Sequence, residues 1–163
     1  MLAVSPSIVR KASPEDHQEI WRLFLMCHNE NGLFRLAPAK VEFFVQRALN
    51  PQMIHPADTG PRGQIVVIGP PGKLEAICFV IIGQFWYSDD HHLEELLVYV
   101  DSEYRASGHA KALIEWMKKT ADGLGIKVLS GIMSNTRTEA KVRLYKRQMP
   151  CIGAFFLYPN PGT

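Results

Sequence analysis

Apolar residues recur along this chain with two different periods, and the switches between them predict the elements. Ile8-Val9-Arg10-Lys11-Ala12 reads as a short first strand. Ser13-Pro14-Glu15-Asp16 then opens a helix. Ser13 can cap, Pro14 suits the first helical position, and Asp16 completes a capping-box-like pair. Ile20, Leu23, Phe24 and Cys27 share one face of that helix, and Asn31-Gly32 ends it. A second helix over about 39–49 sets Val41, Phe44, Val45 and Ala48 at helical spacing, and Asn50-Pro51 stops it. Residues 50–63 hold three prolines and two glycines and read as a loop.

The period then changes to two. Strands are predicted over 64–68, 74–85 and 92–100, separated by turns at Gly69-Pro70-Pro71-Gly72 and Ser88-Asp89-Asp90. A helix over 107–122 buries Ala110, Leu113, Ile114 and Met117, and Gly123 and Gly125 end it. A fifth strand over 127–133, a basic helix over 138–148 broken by Pro150, and a last strand over 152–158 complete the pattern, with 159–163 as a frayed tail. The tight turns imply antiparallel hairpins, and the strand-helix-strand crossover implies a parallel pair. The expectation is one mixed α/β domain. Its sheet is mostly antiparallel, with a central parallel strand pair and flanking helices, over a core of about 7–158.

Composition narrows the function classes. The chain has 163 residues, 47% of them apolar and 21% charged, and a net charge of +2. That is enough length for a real core and too little charge for a polycation, so neither nucleic acid nor membrane is expected as a partner. The residues after Met1 do not form an apolar leader, and no apolar run reaches the roughly 18 residues that span a bilayer. A cytoplasmic protein is the expectation. Cys27, Cys78 and Cys151 lie far apart among apolar neighbours and read as buried free thiols. No metal site is expected: no cysteine pair has ligand spacing, and His91 and His92, as strand neighbours, point opposite ways. Gly69 to Leu74 superficially resembles a phosphate loop, but Val67 and Leu74 stand where its glycine and hydroxyl residue are required.

The chemistry concentrates in Glu94 to Ala110. An apolar strand runs into a short polar turn, and the turn opens a helix with Gly108 and Ala110 at its start. Backbone N–H groups at such a helix start are free and uncrowded, which favours a phosphate. Glu94 and Glu95 lie upstream on the same strand. By strand parity Glu94, Leu96, Val98 and Val100 share one face and Glu95 points to the other.

The element order, with Arg105-Ala106-Ser107-Gly108-His109-Ala110 at the strand-to-helix turn, resembles the GCN5-related N-acetyltransferase superfamily. The family signature is Gln or Arg, two residues, Gly, one residue, then Gly or Ala, and Arg105, Gly108 and Ala110 satisfy it. Ala106 stands where many members have Gly, and the turn after Tyr145 lacks their Gly-Phe.

The resemblance implies an acetyl-CoA-dependent N-acetyltransferase acting by direct attack in a ternary complex. Acetyl-CoA would be the cosubstrate and a primary amine the acceptor; a homodimer stays open. It implies that Arg105, Ala106, Ser107, Gly108, His109 and Ala110 cradle the pyrophosphate. The backbone of Val98, Tyr99 and Val100 would pair with the pantetheine arm, and Asn135 would lie near that arm. Counting back from Arg105 places Glu94 where histone-acetyltransferase-like members carry their base; Glu95 remains the alternative. Tyr145 matches the tyrosine that protonates the departing thiolate. A non-catalytic acyl-CoA-binding or partner-binding module on the same fold is the rival reading.

Overall fold

The computed structural model describes residues 3–53 and 63–159. Strand β1 (Arg10–Lys11) leads through a 3-10 turn (Pro14–Asp16) into helix α1 (His17–Asn31), followed by α2 (Pro38–Leu49). Strands β2 (Gly63–Ile68), β3 (Ala76–Gln84) and β4 (His91–Val100) form a meander. Helix α3 (His109–Leu124) crosses to β5 (Lys127–Leu129), and α4 (Thr138–Lys146) follows. The sheet order is β1-β2-β3-β4-β5, antiparallel throughout except for the parallel β4–β5 pair. This is the mixed α/β class that the turn and crossover pattern predicts.

Two apolar layers sandwich the sheet. On one face Ile20 and Leu23 of α1 and Val45, Ala48 and Leu49 of α2 pack on Ile65, Val67, Ile77, Phe79 and Tyr99. On the other, Leu113, Ile114, Met117 and Ala121 of α3 pack on Val66, Ile68, Cys78, Val80 and Leu93, with Leu144 and Tyr145 of α4 alongside. β2 and β3 therefore bury both of their faces, which explains their near-continuous apolar runs. The β3–β4 hairpin extends past the helices, so its far end is open on the α1/α2 face: Ile81 and Gly83 are only half-buried and Gln84 is exposed.

One buried ion pair fastens the first strand to the first helix. Asp16 is fully buried, and its two carboxylate oxygens each accept a 2.8 Å bond from the Arg10 guanidinium. The same carboxylate accepts the Ser13 backbone N–H at 2.9 Å, the capping role expected from its spacing. Burial pushes the Asp16 pKa up, but the Arg10 and Ser13 bonds outweigh it and hold the group below its ordinary value.

Three expectations are corrected. Residues 152–158 form no strand: the chain is irregular after Pro150, and Ile152, Phe156 and Tyr158 are 84%, 93% and 94% exposed. The apolar run was right for a strand, but β5 ends at Leu129, so no ladder edge reaches the segment; instead the Phe155 ring lies over Gly131. β5 accordingly stops four residues before the predicted Met133. Of the three free cysteines only Cys78 is buried; Cys27 is half-buried and Cys151 exposed. No helix among the described residues is long and apolar enough to cross a membrane, and those residues contain no group of three potential metal ligands.

Asp16→Ala leaves Arg10 without its partner and the helix start without its cap. It is expected to cost about 2 kcal/mol in a urea unfolding experiment. The wild-type advantage should fade on acidification, because a carboxyl whose folded pKa is depressed loses its contribution as pH falls through that value.

Candidate active site

The site is organised by a place where two strands part. β4 and β5 pair in register at His92↔Lys127, Leu93↔Val128 and Glu94↔Leu129, and there the ladder ends. β4 continues to Val100, still paired with β3 on its other side through Leu97↔Phe79, Val98↔Cys78, Tyr99↔Ile77 and Val100↔Ala76. Along 95–100 the edge that faced β5 has no strand partner among the described residues. Unpaired backbone groups of that kind require partners once covered.

The open edge leads to the start of α3. Gly108 takes φ 85°, ψ 1° immediately before the first helical residue and has no side chain of its own to cap the helix. A Cβ built on Gly108 would meet nothing within 4 Å. Glycine is thus demanded by the left-handed backbone, and the space in front of the helix start is free. Ser107 Oγ accepts the His109 N–H at 3.2 Å.

Several side chains of the signature point elsewhere, leaving the backbone to face the cradle. The Arg105 guanidinium pairs with Glu30 at the end of α1, 2.7 Å from Oε1. The Tyr99 hydroxyl donates to the same carboxylate at 2.8 Å. Burial pushes Glu30 up, yet the Tyr99 and Arg105 bonds hold it below the ordinary carboxylate range. His109 is buried, with Nε2 2.6 Å from Glu75 Oε2 and Nδ1 2.8 Å from Ser7 Oγ. Ser5 N and Oγ also bond to Glu75, so the N-terminal segment is strapped behind the turn that precedes α3.

A β-bulge overturns the simple parity of β4. Val80 pairs with Glu95 and Phe79 with Leu97, so Leu96 is an extra residue without a partner on β3. Such an insertion reverses the alternation on either side of it. Glu94 therefore does not share a face with Val98 and Val100. Glu95 does, in the α3/α4 layer, while Glu94 and His92 lie on the α1/α2 face with Gly83 and Phe85.

The two carboxylates thus have different partners. Glu95 accepts the Tyr145 hydroxyl, 2.7 Å from each carboxylate oxygen. Burial raises the Glu95 pKa, and the Tyr145 and Ser130 hydroxyls offset only part of that. Burial, together with the adjacent carboxylate, holds the Tyr145 phenol well above its ordinary value. The Ser130 hydroxyl is buried beside the pair without a partner in hydrogen-bond geometry. Glu94 lies across the sheet, its side chain 40% exposed, with Oε2 3.3 Å from His92 Nε2. Both groups fold over Gly83, where an added Cβ would come within 3.0 Å of each.

The comparisons with known proteins agree with this architecture. Residues 38–149 match the family described as "Acetyltransferase (GNAT) family". The chain belongs to that family. Among solved structures, a ribosomal-protein-alanine N-acetyltransferase from Brucella melitensis biovar Abortus 2308 is 17% identical. It aligns over 93% of this chain and 95% of its own, with TM-score 0.65. A possible acetyltransferase from Clostridium difficile 630 is 20% identical over 94% and 97%, with TM-score 0.67. An aminoglycoside acetyltransferase from an uncultured soil metagenomic sample is 14% identical over 92% and 95%, with TM-score 0.63. At these identities the likeness is one of fold. No curated protein matches the sequence.

Within this GNAT chain Asn135 is exposed in the β5–α4 connection, and its amide donates to Gly32 O at 3.1 Å. It joins that connection to the α1–α2 loop. The Glu95–Tyr145 pair, the Arg105–Glu30 pair and the buried Glu75–His109 pair escaped sequence reasoning. The first hides behind the bulge. The others join residues 75 and 34 positions apart, with no local pattern to signal them.

Glu95→Gln keeps the shape of the pair and removes the buried charge. A carboxyl whose folded pKa is raised loses stability as pH climbs from its unfolded to its folded pKa. The variant's melting temperature should therefore match wild type below the ordinary carboxylate pKa and exceed it above. A constant difference across the pH range would contradict this.

Proposed function

We propose that the protein transfers the acetyl group of acetyl-CoA to a primary amine, by direct attack in a ternary complex. The observation that carries this reading is the unpaired β4 edge over 95–100 running into the open glycine start of α3. An extended amide-bearing arm ending in a pyrophosphate suits that geometry: strand-like pairing along Val98, Tyr99 and Val100, then backbone N–H donors over 105–110.

Chemistry follows from the two faces of β4. An ammonium has no lone pair, so the acceptor must lose a proton before it attacks the thioester carbon. Glu94, half-exposed and steadied by His92, takes that proton on the α1/α2 side, directly or through water. β4 N–H groups stabilise the oxyanion as the N–C bond forms. The C–S bond then breaks, and Tyr145 delivers its proton to the leaving thiolate on the α3/α4 side. The raised phenol pKa keeps Tyr145 protonated until that moment. Glu95, which accepts the phenol O–H on both carboxylate oxygens, holds Tyr145 in place for that transfer, and water returns the proton to the phenolate afterwards. Holding thioester and amine in this geometry supplies much of the rate.

Glu94→Gln and Tyr145→Phe should each lower kcat by about 100-fold or more while coenzyme A still raises the melting temperature. Unchanged turnover in either variant removes that residue from the mechanism. Coenzyme A binding without transfer to any member of an amine panel would favour the acyl-CoA-binding module. No stabilisation by coenzyme A at millimolar concentration would overturn the cosubstrate itself.

A further inference from the structure

Beyond Glu94 the hairpin ends in an aromatic cluster that neither core uses. Phe85, Trp86 and Tyr87 are 46%, 95% and 69% exposed. They hold one another in place: Phe85 stacks on Tyr87 with centroids 5.5 Å apart, and Trp86 meets Tyr87 edge-on at 5.5 Å. The Phe85 ring also lies 5.0 Å from the His92 ring, and His92 Nε2 is 3.3 Å from Glu94. A continuous line of side chains thus runs from the fully exposed indole to the carboxylate that we place at the acceptor amine.

The charge on the β3–β4 hairpin is one-sided. From Leu74 to Val100 the sequence has no lysine or arginine. Asp89 and Asp90 are exposed at the turn, and no ion pair to either is made among the described residues. The turn is shaped by Gln84 Nε2 donating to Asp89 O at 2.7 Å and Asp90 N donating to Ser88 Oγ at 3.1 Å. Lys127, in register with His92 on β5, is the one opposing cation in the adjoining ladder. Three carboxylates, Asp89, Asp90 and Glu94, outnumber it. Exposed aromatic faces rimmed by carboxylates attract organic cations, and the rings supply an attraction that carboxylates alone do not.

We propose, on the reading above that Glu94 meets the acceptor amine, that the acceptor is a small molecule with at least two ammonium groups. One is acetylated at Glu94. Another sits against Trp86 and Tyr87 under Asp89 and Asp90. At a strand rise of about 3.4 Å per residue, the four steps from Glu94 to Asp90 span roughly 13 Å. Two amino groups on the order of 10 Å apart are of the length this span calls for. A monoamine can use the first half of the site but not the second.

The test compares 1,8-diaminooctane with n-octylamine, which has the same chain and one amino group. Wild type should favour the diamine in kcat/KM by about tenfold, from one cation–π contact and partly screened charge pairs. The ratio should fall towards one in Trp86→Ala and in the Asp89→Asn/Asp90→Asn double variant, all at exposed positions that folding does not need. A wild-type ratio near one, or a ratio unchanged in the variants, overturns the proposal. Binding is read separately, by titrating tryptophan fluorescence with 1,8-diaminooctane in the presence of coenzyme A. A saturable change that disappears in Trp86→Phe supports the proposal, and its absence in wild type overturns it whatever the turnover. If the diamine binds at Trp86 but is never acetylated, the transferase reading fails and the cation site stands.

Discussion

The parting of β4 from β5 after Glu94 and Leu129 governs the rest of this molecule. A strand inside a sheet normally satisfies its backbone on both sides, and a buried edge without partners is costly. Here β4 runs six residues past the last β5 pair, from Glu95 to Val100. Everything that faces the opening follows from it. β5 is cut short at Leu129, Ser130 keeps an unpartnered hydroxyl, and α4 brings Tyr145 to the mouth. The same strand then turns through Asp101, whose carboxylate accepts from Glu103 N at 3.2 Å and from the Arg22 guanidinium at 2.8 Å. That anchoring delivers the free start of α3 to the end of the open edge. A gap with amide donors along one wall and a helix dipole at one end is built for an elongated anionic molecule.

The bulge at Leu96 divides the labour of that strand. Without it, neighbouring carboxylates would still point to opposite faces, but Glu94 would share a face with Val98 and Val100. With it, Glu95 joins them beside Tyr145, and Glu94 is released to the open α1/α2 side next to His92. On the proposed mechanism, proton removal and proton delivery then fall on opposite faces of one sheet. The low exposure around Glu95 and the open setting of Glu94 suit those tasks, since a group that holds a proton gains from burial and a group that collects one must be reached.

Most of the architecture was legible because its signals are local. The capping pattern at Ser13 to Asp16, the apolar faces of α1, α2 and α3, and the Pro-Gly turn at 69–72 each declare themselves within a few residues. The turn at 105–110 was legible for the same reason: a helix start with Gly108 is a local event. The errors share another origin. Whether 152–158 becomes a strand depends on a partner edge far away in sequence, and β5 does not supply it. Strand parity fails at Leu96 because a bulge is set by the pairing of two strands, not by either sequence alone. The Arg105 side chain, drawn to Glu30 on α1, and Asn135, drawn to Gly32, are likewise decided by tertiary neighbours. The predicted loop at 50–63 lies largely outside the described residues.

The central claim is that the cosubstrate completes the open edge of β4. Residue-resolved amide hydrogen exchange, with and without coenzyme A, reads this directly, because exchange reports whether each N–H has a partner. Protection should rise at alternate amides between Glu95 and Val100 and at the turn from Ser107 to Ala110. Amides at His92 to Glu94, already within the ladder, should change little. Binding of coenzyme A with no added protection over 95–100, or with protection confined to another edge of the sheet, would contradict the account.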